Sequence, residues 1–256
     1  MAKRGKARKG LKLWIINASP RALNDCPQEK SKSQRIAEFM ALVADKQKDI
    51  AEIYVTNLHE LAPIGPCKGC VSTVASLCHY PCDCYPNVKY PKDPMLELYK
   101  IGEKADIIIF VTPVHWMSYS SYMSLFFGRL TCIDGGRENA TNKDKNYEIK
   151  LVESGKFNPK KHWAGKIAGI YTISDSTTGA AGPLSISLGY MGLWVPPHCI
   201  VEEVMGGYVP YHKHNELFKK TECIWNDAKQ LVLNLIEAAK ITGERKISRG
   251  GEECMI

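Results

Sequence analysis

The sequence contains neither G-x-G-x-x-G nor G-x-x-x-x-G-K-[ST], which removes the dinucleotide-binding turn and the P-loop as ways of holding a phosphate. It has no apolar run as long as a membrane span, and the charged segment Met1 to Gly10 is not followed by the apolar stretch of a secretory signal. Membrane insertion and secretion are therefore not expected. Cys254 stands third from the end of Glu253-Cys254-Met255-Ile256 instead of fourth, so a prenylation box is missing. No internal repeat is visible. No convincing Ser-His-Asp or Cys-His pairing offers a nucleophile with its base.

Acidic residues are in slight deficit, giving a formal net charge of +7 over 256 residues. The excess is local, because Lys3, Arg4, Lys6, Arg8, Lys9 and Lys12 lie in the first twelve positions and the remainder is close to neutral. This describes a basic, unstructured arm over residues 1–10 on a balanced domain and gives no basic nucleic-acid-binding face. The chain holds ten cysteines. Without a secretory signal they point to reduced thiols or metal ligands before disulfides, and to the cytoplasm.

Short apolar runs alternate with helical patterns, as in βαβ units that feed a parallel sheet. The expected strands are Leu11–Asn17, Ile50–Val55, Asp106–Thr112, Lys166–Ile173 and Pro197–Val204. The third is the most continuously apolar and is placed at the centre, buried on both faces. Helices are expected over Ser33–Gln47, Pro94–Lys104, Ser121–Leu130, Leu184–Leu193 and Glu216–Ile241. The result is one three-layer α/β/α domain over residues 11–242, a doubly wound five-stranded parallel sheet that binds ligands beyond the carboxyl ends of its strands. The segment 243–256 reads as a flexible tail. Two connections, Asn57–Asp93 and Cys132–Trp163, exceed simple turns and are expected to be functional or disordered.

The first strand runs into Asn17-Ala18-Ser19-Pro20-Arg21, and the next helix starts near Ser31-Lys32-Ser33. Backbone N–H groups at a helix start favour a phosphate. The hydroxyls of Ser19, Ser31 and Ser33 and the Arg21 guanidinium suit the same anion, although Ser31 or Ser33 also serves as a simple helix cap.

On these residues the chain resembles the NADPH-dependent FMN reductases and flavodoxin-like NAD(P)H oxidoreductases. In that family a Ser-x-Arg segment, followed after a short insertion by Ser-x-Ser, holds the FMN phosphate. The resemblance implies a flavodoxin-like fold, with Ser19, Arg21, Ser31 and Ser33 as phosphate ligands. Asn17-Ala18 stands where a glycine is common. It also assigns Pro113-Val114-His115-Trp116, after the central strand, to the isoalloxazine ring, with His115 where relatives often have tyrosine. A third loop, Ser174 to Ala180, completes the flavin site through Ser174, Asp175, Thr178 and Gly179. The implied function is an FMN-dependent NAD(P)H oxidoreductase that reduces flavin, quinone or another small acceptor as a homodimer or homotetramer. A flavodoxin-type or iron–sulfur flavoprotein electron carrier is the first alternative. A metal-bearing interaction protein on the same scaffold is the second.

Cys67, Cys70, Cys78, Cys82 and Cys84 fall within eighteen residues, in the loop after the second strand. That loop leaves from the same carboxyl edge as the flavin loops. Three readings stay open at this point. One is an iron–sulfur cluster, as in the family's iron–sulfur flavoprotein relatives, from whose spacing this motif departs. The others are a zinc site and reduced thiols that pack or react.

Overall fold

The computed structural model describes residues 10–138, 144–175, 178–205 and 213–244. Along the first strand, β1 (Leu11–Asn17), Leu13 and Ile15 belong to one apolar core while Trp14 and Ile16 belong to another, and all four are buried. The central strand β4 (Ile107–His115) divides in the same way, Ile107, Ile109 and Val111 against Ile108 and Phe110. With a side-chain period of two, both faces of these strands must be covered, and helices cover both. On one face lie α1 (Lys32–Asp45) and the long α7 (Glu222–Glu244), preceded by the short α6 (His214–Lys220). On the other lie α2 (Met95–Lys104), α3 (Ser121–Arg129) and α5 (Ala181–Tyr190).

Strands β2 (Ile50–Asn57), β7 (Ile167–Ser174) and β8 (Ile200–Val204) complete a parallel sheet in the order β2-β1-β4-β7-β8. This is the flavodoxin-like order, and the strand order reverses between β1 and β4. The five expected strands are all present. Pro197–Cys199, expected as the start of the last, is a 3₁₀ turn.

One expectation is corrected. The expected helix Glu216–Ile241 is broken at Thr221, whose backbone is extended and whose hydroxyl donates to the Leu217 carbonyl at 2.7 Å. The long connections also carry structure of their own. β3 (His79–Tyr80) in the first pairs with β6 (Arg137–Glu138) in the second, which continues into α4 (Lys145–Glu153). Glu148 of α4 is fully buried, pairs with Arg137, and accepts at its carbonyl the Ser76 hydroxyl at 3.1 Å. The two insertions therefore form one unit. β5 (Ser118–Tyr119) pairs antiparallel with the end of β4. The basic arm lies outside the described residues except Gly10, and so does the tail except Gly243 and Glu244, which close α7. Among the described residues, no helix is long and apolar enough to cross a membrane.

Packing is tight where α2 meets the sheet. Trp163 is fully buried, 5.9 Å from the Trp14 ring in an edge-on contact, and a Cβ on Gly102 would come within 2.0 Å of its indole. Gly102→Ala is accordingly expected to lower stability by about 1–3 kcal/mol through overpacking, measurable as a reduced denaturation midpoint at unchanged slope.

Glu203, near the end of β8, supplies a pH dependence. Burial, followed by a hydrogen bond and charge repulsion from Asp227 on α7, raises its carboxyl from 4.5 to about 7. The folded state then binds this proton more tightly than the unfolded chain, so the Glu203 contribution to stability falls as pH rises from about 4.5 to about 7. Glu203→Gln is expected to remove that slope and to melt above the parent chain at pH values on the alkaline side of the window, as thermal melts across the range would show.

Candidate functional site

The loop after β1 is shaped by side chains in place of glycine. Asn17 Oδ1 accepts the Ser19 N–H at 3.2 Å and its amide donates to Asn57 at 3.0 Å, while Ser19 Oγ accepts the Arg21 N–H at 3.2 Å. These local bonds do the work of an Asx turn. Ser31 caps α1 by accepting the Gln34 N–H at 3.1 Å, and Ser33 Oγ lies 3.3 Å from Ser31 Oγ. Ser19, Ser31 and Ser33 are all buried. As the opening residues of the helix, Lys32 and Ser33 have N–H groups without an intrahelical acceptor. Arg21 is half-exposed and stands 3.7 Å from Glu29.

The second segment is a hairpin tip rather than an open loop. β4 continues through Pro113 and Val114 to His115, and Val114 faces Tyr119 while His115 faces Ser118. Trp116 and Met117 make the two-residue turn, with φ of 51° and 58°. Both angles lie in the left-handed region that such a turn requires and that larger L-residues avoid. The Trp116 side chain is 99% exposed. In the third segment, Ser174 ends β7, Asp175 follows it, and Thr178 and Gly179 are exposed; Ser176 and Thr177 lie outside the described residues.

Two direct contacts tie the first segment to the other two. Ser120, the cap of α3, donates its hydroxyl to the Ala18 carbonyl and so joins the first to the second. Lys32 pairs with Asp175 at 3.2 Å and joins the first to the third. Gly179, at φ +111°, faces the hairpin, and a Cβ added there would stand 3.5 Å from the Met117 carbonyl. Glu202 of β8 steadies the third segment by accepting the N–H groups of Gly179 at 3.1 Å and Ala181 at 3.0 Å. Ser120, Lys32 and Glu202 were not legible as site residues, since each acts through a partner remote in sequence. Only the position of Ser120, at the head of a helix, gave a signal.

The five loop cysteines also converge. Cys67, Cys70, Cys78, Cys82 and Cys84 line one small cavity together with Cys132, which sequence spacing did not connect to them. Among the described residues every cysteine is a free thiol. Burial pushes the Cys78 and Cys132 thiols up to about 12, with further contributions from neighbouring cysteines. Beside this cavity Arg129, at the end of α3, pairs with Asp93 at 2.8 Å and donates to the Gly65 carbonyl at 3.0 Å. The guanidinium also lies over the Tyr85 ring at 4.2 Å.

A family model for NADPH-dependent FMN reductases matches residues 11–203, from the first residue of β1 almost to the end of β8. The chain belongs to that family. The match embraces all three site segments and the cysteine loop, and places the chain among FMN-dependent NAD(P)H oxidoreductases. No curated protein matches significantly.

Solved structures with the same fold include RosB with a bound 8-demethyl-8-formylriboflavin-5'-phosphate intermediate, at 16% identity and a TM-score of 0.61, covering 96% of this reductase-family chain and 90% of that one. An FMN-dependent NADH-azoreductase from Bacillus anthracis in complex with FMN is 13% identical with a TM-score of 0.53, covering 88% and 99%. An NAD(P)H:quinone oxidoreductase from Methanothermobacter marburgensis gives 13% and 0.52, with the same coverage. At these identities the likeness is one of fold.

The site suits the cofactor that the family uses. Hydroxyls and unpaired N–H groups collect at the start of α1, where the helix dipole is positive, so the donor set fits a phosphate.

Proposed function

We propose that this chain is an FMN-dependent NAD(P)H oxidoreductase, one flavin-binding domain over residues 11–242, that passes electrons to a quinone, a free flavin or another small acceptor. The observation that supports this most is the pair of contacts Ala18–Ser120 and Lys32–Asp175, with Gly179 facing the hairpin at Met117. It sets phosphate donors, a hairpin wall and a glycine-bearing loop around one end of the sheet.

When bound, FMN would supply two-electron redox chemistry between a reduced nicotinamide and the second substrate. The protein's own part is binding and orientation. Ser19, Ser31 and Ser33, with the N–H groups of Lys32 and Ser33 and the Arg21 guanidinium, hold the phosphate. Pro113, Val114 and His115 present a rigid strand end to the ring, and Trp116 offers an aromatic surface against which a planar acceptor packs. Ser174, Asp175, Thr178 and Gly179 close the opposite side. The near-neutral body favours an enzyme over a small acidic carrier. We assign the protein to the cytoplasm as a homodimer or homotetramer, with exposed Ile186, Tyr190 and Trp194 on and after α5 as apolar surface for the contact.

With one flavin face serving both substrates, the oxidised nicotinamide leaves before the acceptor binds. FMN-loaded protein is expected to oxidise NAD(P)H in the presence of a quinone and to give parallel double-reciprocal plots. Bound flavin without turnover of any nicotinamide would replace the enzyme with a carrier.

A further inference from the structure

The cysteine cavity carries a second kind of ligand besides sulfur. His79 lines it, and its side chain is only 4% exposed. Its Nδ1 is held 2.8 Å from Asp83 Oδ2, while Nε2 is buried with no hydrogen-bond partner. A buried imidazole with one nitrogen fixed by a carboxylate and the other left unpaired carries the cost of an unmade bond. That pattern is also the usual support of a metal-bound histidine, in which the carboxylate sets the tautomer and leaves the second nitrogen's lone pair free.

The sulfurs match. Cys70 and Cys84 have their Sγ atoms 3.5 Å apart, too long for a disulfide and near the roughly 3.8 Å edge of a tetrahedron built from zinc–sulfur bonds of about 2.3 Å. Cys82 lines the same cavity. The cavity has a volume of about 20 Å³, near the space of one or two water-sized bodies.

We propose that Cys70, Cys82, Cys84 and His79 Nε2 bind one zinc ion, with Asp83 as the residue that positions the histidine. Among the described residues no three such donors are already gathered round a point, so this site closes on its ion by rotation of side chains that already line the cavity. Three thiols lose their protons to solvent as the ion binds. The resulting site carries one net negative charge, which Lys68 at the cavity wall offsets, the Arg129 guanidinium being already paired with Asp93. Its role is structural: it fastens residues 70 to 84 of the loop after β2 to one another.

Elemental analysis of full-length protein, purified under reducing conditions without chelator, is expected to find one zinc per chain. Cobalt in its place should give ligand-field bands at longer wavelength than oxidised flavin, together with thiolate charge transfer. Cys84→Ser and His79→Ala should lose the metal, Asp83→Asn should weaken it roughly 10- to 100-fold, and His79→Cys should restore it. Cys199→Ser, at a buried thiol outside the cavity, should leave it unchanged, and FMN content should stay constant throughout. Should Cys84→Ser fail to fold, titration of the unaltered protein with a mercurial is expected to release one zinc to a chromogenic chelator. Protein that takes up neither zinc nor cobalt, protein that holds iron with acid-labile sulfide instead, or zinc retained in full by His79→Ala would overturn the proposal.

Discussion

Arg129→Ala is expected to lower the stability of the folded chain by about 3–5 kcal/mol, the penalty for leaving one member of a buried ion pair without its partner. The side chains of Arg129 and Asp93 are 1% and 2% exposed. Asp93 Oδ2 accepts from Arg129 at 2.8 Å and from the Gly65 N–H at 2.7 Å, and its Oδ1 accepts the Met95 N–H at 3.1 Å at the head of α2. Removing the guanidinium thus strands a carboxylate that fixes both the cysteine loop and a helix start. It also strands the Gly65 carbonyl and uncovers the Tyr85 ring. Arg129→Met paired with Asp93→Leu should recover part of the loss, because replacing both charges is far cheaper than removing one. Urea unfolding of the two variants beside the parent chain decides it. A single variant within about 1 kcal/mol of the parent would mean that water reaches the pair.

The second large effect is expected in cofactor affinity. Arg21→Ala should weaken FMN by about 1.5–3 kcal/mol, roughly a 10- to 150-fold rise in Kd, if the guanidinium makes a charged hydrogen bond to the phosphate. Arg21 faces Glu29 at 3.7 Å and Arg35 approaches the same carboxylate at 3.9 Å. A phosphate must compete with Glu29 for Arg21, so Glu29→Gln should move affinity the other way and tighten binding. Fluorescence titration of FMN against both variants tests the pair of signs. Equal affinity in Arg21→Ala and the parent chain would remove Arg21 from the phosphate site and leave Ser19, Ser31 and Ser33.

Where the sequence was legible, periodicity carried the information. Ile107 to Val111 could only be a strand buried on both sides, and Ile36, Met40 and Val43 only one face of a helix. The order Ser19, Arg21, Ser31 and Ser33 likewise pointed at the start of α1, because a phosphate seat is built from neighbours in sequence. Pairings across distance were not legible. Arg129 with Asp93, Cys132 with the loop cysteines, and β3 with β6 all join segments separated by tens of residues. Their geometry depends on how two irregular connections fold on each other. Composition had marked those connections as loops, since α4 is mostly polar and its one anchor, the buried Glu148, looks like any surface charge in a linear string. Thr221 shows the opposite failure: apolar spacing continued through it, but its backbone turns to an extended conformation there and ends the helix.

The hairpin tip has a cost that bears on how this protein could change. A two-residue turn with both residues left-handed accepts Asn-Gly almost freely, yet here it carries Trp116 and Met117, each held at about 1–2 kcal/mol above its relaxed backbone. Selection for heat resistance alone would rewrite these two positions early, and would erase the exposed indole beside the flavin segments in the same step. Their persistence in a laboratory lineage grown hot but selected for turnover would separate a ring kept for catalysis from one that is only tolerated.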